Sequence, residues 1–176
     1  MSKNFYAGAL IAFLLVACLS APGTALVNWD NNDFRLTFEP GDEVDVVQDY
    51  FIEEAILNTG EVVDIPISYV RFNTGNMSIF GQVSVKLYDE EQSVAYLNSD
   101  SRLTVQKIYG EENITEEKFY EKNGQSILAV SHRFNAFGDS TTANVPYGRC
   151  VVIVSAEANA FPEIMDSLTF ELKREL

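Results

Sequence analysis

Carboxylates are the reactive groups this chain has most of. Its 176 residues carry 26 Asp and Glu against 12 Lys and Arg and one His, a net charge of -14. A glycoside hydrolase needs only a pair of carboxyl groups, one with a raised pKa. No spacing in this sequence singles out such a pair, so the acids read as a solvated surface. Acidic loops can also hold calcium, which takes roughly six to eight oxygens. Asp30-Asn31-Asn32-Asp33, and Asp42 with Glu43 near Asp45, are the stretches that offer them. Neither has the EF-hand spacing, so Asp30, Asp33 and Asp42 stand as the calcium candidates and no cofactor is expected.

Nucleophile chemistry finds less. His132 is the only histidine, with Ser131 beside it. Neighbours on a strand point to opposite faces, so the two cannot form a Ser–His pair. His132 is expected half-exposed on a strand. No nucleophile elbow, phosphate-cradling glycine loop, HExxH or dinucleotide fingerprint occurs. The two cysteines, Cys18 and Cys150, cannot supply a Cys/His zinc site or a disulfide framework. Cys150 opens the apolar run Cys150–Val154 and reads as a small buried hydrophobe.

Aromatics make up 12% of the chain, with 12 Phe, 8 Tyr and 1 Trp. Most of the Phe belong in a core. Tyr69, Tyr88, Tyr96, Tyr109 and Tyr147 fall at strand ends or turns, where a hydroxyl can reach water. Exposed rings serve sugar-binding sandwiches as stacking platforms, and Tyr96 and Tyr147 are the candidates for that role.

These groups must be carried by strands. Phe34, Leu36 and Phe38 alternate with polar residues, and so do Gln82–Tyr88 and most of Arg102–Tyr109. Val62–Phe72, Ser126–Phe134, Cys150–Ala156 and Ser167–Lys173 complete at least seven strands, the Cys150 strand apolar enough for the middle of a sheet. Pro66 has no N–H, which predicts an edge or a bulge at that point. Turn residues recur at Asn58-Thr59-Gly60, Asn73-Thr74-Gly75, Asn98-Ser99-Asp100, Asn123-Gly124 and Tyr147-Gly148. Residues 49–57 admit a short helix or a long bulged strand, and the preceding β-branched run favours strand. Thr115–Lys122 reads as one or two helical turns capped by Thr115. Together these predict an all-β fold, a single antiparallel Ig-like β-sandwich over residues 26–176.

An N-terminal signal or anchor segment precedes it over residues 1–25. Lys3 leads an apolar run from Ala9 to Ala21, broken by Pro22-Gly23 and followed by the small residue Ala25. That is the layout of an export signal. Three fates stay open. The segment is cleaved after Ala25, it is lipidated at Cys18 within the lipobox-like Leu15-Val16-Ala17-Cys18, or it is retained as an anchor. Each makes the rest of the chain secreted or cell-surface, with membrane contact only through this segment. Asn76 and Asn113 head glycosylation sequons suited to that compartment. The acidic balance argues against nucleic acid, whose phosphates need a basic face.

Phe38-Glu39-Pro40-Gly41-Asp42, Asn58-Thr59-Gly60 and Val83-Ser84-Val85-Lys86-Leu87-Tyr88-Asp89 together resemble the cadence of CARDB-type Ig-like cell-surface modules. That resemblance implies an adhesive or spacer module and no catalysis. The expected function is therefore a structural or adhesive surface module, with a carbohydrate-binding module as the alternative. Expected partners are a protein or glycan at the cell surface. Self-association through sheet edges is a further expectation, with Pro66, Lys86 and Lys107 as edge guards.

Overall fold

The inward alternation of Phe34, Leu36 and Phe38 marks the line along which the molecule closes. The computed structural model describes residues 25–56, 62–74, 79–88, 101–133 and 138–173. Strands β1 (Val27–Asp30), β2 (Phe34–Phe38) and β10 (Thr169–Leu172) form a three-stranded antiparallel sheet in the order β1-β2-β10. Strands β3 (Asp45–Ile56), β4 (Val62–Asn73), β5 (Phe80–Leu87), β6 (Ile114–Lys122), β7 (Gln125–Arg133), β8 (Asp139–Tyr147) and β9 (Cys150–Glu157) form a second sheet. Its order is β3-β4-β5-β9-β8-β7-β6, antiparallel throughout. The meander β3-β4-β5 thus joins the meander β6-β7-β8-β9 along the β5–β9 seam.

The two sheets enclose one apolar core, so the fold is the expected all-β sandwich. Phe34, Leu36 and Phe38 are fully buried against Val70 and Phe72 of β4, Val83 and Val85 of β5, and Val152 and Val154 of β9. Phe38 meets Phe72 across the core, ring centroids 5.3 Å apart. Each such side chain contributes roughly 1.5–3 kcal/mol of apolar transfer. The short helix α2 (Phe161–Ser167) closes the core with Phe161, Ile164 and Met165. β9 lies in the middle of the large sheet, as its apolar run predicts, and Cys150 is fully buried there.

Several expectations need correction. Arg102–Tyr109 is helix α1 (Ser101–Tyr109), not a strand. Ser101, Val105 and Tyr109 recur every four residues, which puts them on one helical face, while Leu103 and Ile108 are exposed. Thr115–Lys122 lies in strand β6, not a helix. The cause is the hairpin that follows: Asn123 and Gly124 have φ of 54° and 72°, as a type I′ two-residue turn requires. That turn pairs Lys122 with Gln125 and Glu117 with Val130. Residues 49–56 are strand, with no bulge in the register. The last strand begins at Thr169, because Pro162 near its start sets Phe161–Ser167 as a helix first. β1 and β8 complete the sandwich beyond the strands the alternation revealed.

Pro66 sits in an internal strand, yet the β4–β5 ladder ends at Ile67, so only β3 pairs with β4 at that point. Its missing N–H costs the β5 ladder nothing. Lys86 is on β5, inside the sheet, and Lys107 is on α1, so neither guards an edge.

Candidate functional site

Period-two alternation gives the large sheet a second face, turned away from the core. There β4 presents Ile67, Tyr69 and Arg71. β5 presents Gln82, Ser84 and Lys86, and β9 presents Val151, Ile153 and Ser155. The register aligns them into rows. Thr142 pairs with Ser155, Ser155 with Gln82, and Gln82 with Arg71. Four polar side chains therefore cross four adjacent strands in one line. Their contacts fix them in place: Thr142 Oγ1 lies 2.9 Å from Ser155 Oγ, Arg71 Nε donates to Gln82 Oε1 at 3.0 Å, and Gln82 Nε2 donates to Ser84 Oγ at 2.8 Å.

This row floors a groove of about 570 Å³. Thr104, Ile108 and Tyr109 of α1 line it, as do Phe51 of β3 and Phe80 of β5. The helix is tied down at β8, where the Asn144 amide donates to Ser101 Oγ at 3.0 Å. Lys86 Nζ, in the groove, reaches Glu53 Oε2 at 2.5 Å. Arg71 lies 4.8 Å from the centre of the Tyr69 ring, and Tyr69 donates its hydroxyl to Asp49 Oδ2 at 3.0 Å. Burial, reinforced by Asp49, raises the Tyr69 pKa, while the Arg71 charge opposes the shift. The groove thus combines apolar walls with a few placed donors and acceptors, which is the make-up of a small-ligand site.

His132 departs from expectation: it is fully buried, because α1 covers this end of the face. Its ring stacks on Tyr109 with centroids 4.0 Å apart. Nε2 lies 3.3 Å from Thr142 Oγ1. Burial lowers its pKa, with the Arg133 backbone and the Asp139 charge opposing. Nδ1 is buried and has no hydrogen-bond partner among the described residues. The ring is held by the Tyr109 stack on its face and by Thr142 at Nε2. Ser131 turns the other way and pairs with Thr141 Oγ1 at 2.9 Å.

Of the tyrosines singled out by sequence, Tyr109 lines the groove and Tyr69 stands beside it under Arg71, while the other candidates lie elsewhere. Tyr147 packs on Phe170, centroids 4.9 Å apart, and burial raises its pKa, so this ring face belongs to the core. Tyr88 is buried, and burial raises its pKa, as does the Glu53 charge. Asp30 is engaged by Arg35 Nε at 3.0 Å and by Lys173. Asp33 lies in the turn where Asn31 Oδ1 accepts the amides of Asp33 and Phe34. Asp42 is exposed in the turn before β3. Among the described residues no three His, Cys, Asp or Glu side chains converge. Asn113 is half-buried and donates its side-chain amide to the Tyr109 carbonyl at 2.5 Å. Cys18, Asn76 and Tyr96 lie outside the described residues, as do residues 1–24 of the export segment. Among the described residues no helix is long and apolar enough to cross a membrane.

The groove residues Arg71, Gln82, Ser84, Thr142 and Ser155 were not found by sequence reasoning. The strands of Arg71, Gln82, Ser84 and Ser155 were visible and that of Thr142 was not, and outward polar residues on a sandwich ordinarily face water. The sign that distinguishes them is size: Ser84, Ser155 and Thr142 are small hydroxyl residues on central strands, where a solvated face usually carries long charged ones. Compared with known families, curated proteins and solved structures, the chain matches none.

Proposed function

We propose that this chain is an exported, non-catalytic adhesive module of the cell surface that binds a glycan in the groove on the outer face of its large sheet. The observation that carries the reading is the row Thr142–Ser155–Gln82–Arg71, laid in register across four strands beneath apolar and aromatic walls. Sugars present alternating hydroxyls and apolar C–H faces. Hydroxyl, amide and guanidinium groups recognise the first, and Phe51 and Tyr109 suit the second. The export-type sequence of residues 1–25 supports the compartment.

A glycan array followed by titration calorimetry on the best binder tests this. Selective binding is expected, weakened about tenfold or more by Ser155→Ile, which fills the floor, and by Arg71→Ala. Circular dichroism should show both variants folded. A folded wild-type chain that binds no glycan on the array overturns the reading. So does release of cleaved sugar from a bound oligosaccharide, since that would make the groove catalytic.

A further inference from the structure

The two edges of the seven-stranded sheet are built differently. β6 carries Glu116, Glu117, Lys118, Glu121 and Lys122 around Phe119, the mixed charges that guard an edge against pairing. β3 is the other edge, twelve residues long, and its middle has no such guard. Tyr50, Phe51 and Ile52 are consecutive there, and 55%, 45% and 56% of their surface is exposed. Consecutive strand residues point to opposite faces, so β3 is uncovered on both faces at this point. Every second residue of an antiparallel edge also turns its N–H and C=O outward.

Charge selects the occupant. β3 carries Asp45, Asp49, Glu53 and Glu54 and no Lys or Arg. Lys86 offsets Glu53, and Arg71 lies across from Val47 on β4; the strand stays net acidic. A second copy fits poorly: antiparallel self-pairing centred on Phe51 sets Asp49 opposite Glu53, and parallel in-register pairing sets each acid opposite itself. Like charges directly opposed across strands destabilise the pair. We propose that the β3 edge accepts, as an added strand, an extended segment of another protein that alternates cationic with β-branched residues. Main-chain bonds along β3 supply affinity, and cations facing Asp49 and Glu53, which share one face of the strand, set register and choice of partner. The proposal does not rest on glycan binding, although Phe51 and Glu53 line both surfaces.

The test uses the full chain and three labelled peptides of roughly seven residues, the length of an ordinary strand. The first alternates Lys with Val, the second Glu with Val. The third repeats the first with every backbone nitrogen methylated. Fluorescence anisotropy should show the Lys/Val peptide binding at least about tenfold tighter than the other two. Hydrogen exchange should slow at amides within Asp45–Glu54 when it binds. Equal binding of the methylated peptide overturns the proposal, because charge alone would then suffice. Failure of the Lys/Val peptide to bind overturns it as well. So does a stable dimer of the chain that protects the same β3 amides, since the edge would then belong to a second copy.

Discussion

The imidazole of His132 lies flat on the phenol ring of Tyr109, centroids 4.0 Å apart and planes 18° from parallel. The stack joins the last residue of α1 to β7, and His132 Nε2 meets Thr142 Oγ1 at the end of the groove's polar row. The one histidine of the chain therefore sits where helix, sheet and groove meet.

That burial makes stability depend on pH with a definite sign. Burial holds the folded imidazole's pKa below its ordinary value near 6.5. The unfolded chain takes up the proton first as pH falls, so protonation favours unfolding. The contribution is fully present above pH 6.5 and is lost as pH falls from there toward the depressed folded value, at up to about 1.4 kcal/mol per pH unit. The acidic surface acts oppositely as it is neutralised, so the informative quantity is a difference. Urea unfolding midpoints from pH 5 to 8 should converge between wild type and His132→Gln as pH falls. Parallel pH profiles would refute this.

The core was largely legible in the sequence, and the site largely was not. Phe34, Leu36 and Phe38 declare their buried face by alternation alone, because each is apolar and its neighbours are not. Arg102–Tyr109 misleads because Leu103 and Val105 fit period two, while Ser101, Val105 and Tyr109 fit the helical period. Only contact with β7 and β8 decides between them. Thr115–Lys122 misleads in the other direction: its Glu and Lys suit a helix, and the Asn123-Gly124 turn overrides that local preference. The groove was hidden because register belongs to pairs of strands. Nothing in β4, β5, β8 or β9 alone says that Arg71, Gln82, Ser155 and Thr142 will stand in line.

Phe38 and Phe72 hold the two sheets together across the core. Phe38→Ala removes a fully buried ring that the rigid β2–β4 interface cannot collapse to fill. The expected loss is about 3–5 kcal/mol, read as a lower urea midpoint with an unchanged slope. A loss under about 1 kcal/mol would mean that the three-stranded sheet is not an integral half of the sandwich.

Cys150 is fully buried at the start of β9, and burial, opposed by the Arg149 charge, pushes its thiol up to about 11. The thiolate is the reactive form. A chromogenic disulfide reagent at pH 8 should therefore leave Cys150 unlabelled in native protein and label it fully in denaturant. Rapid labelling under native conditions would place the thiol at the surface and contradict the central position of β9.

Gly81 ties the fold to the groove. It pairs with Phe72 on one side and Ala156 on the other. A Cβ at this position would stand 2.5 Å from Phe72 Cζ, 2.8 Å from the Ser155 carbonyl oxygen and 3.0 Å from Ala156 Cα. The Phe72 ring can turn at some cost to the core. The Ser155 carbonyl is backbone in a central strand, so relief there requires β9 to shift. Overpacking of this kind costs roughly 1–3 kcal/mol. Gly81→Ala should therefore lower the thermal midpoint. Because the moving strand carries Ser155, it should also weaken glycan binding, although no groove side chain has been changed. Ser84→Ala serves as the comparison, since it removes a groove hydroxyl without adding a contact. The coupling argument requires Gly81→Ala to lose both stability and affinity, and Ser84→Ala chiefly affinity. A Gly81→Ala chain as stable as wild type would show that β5 and β9 are not packed this closely at the seam.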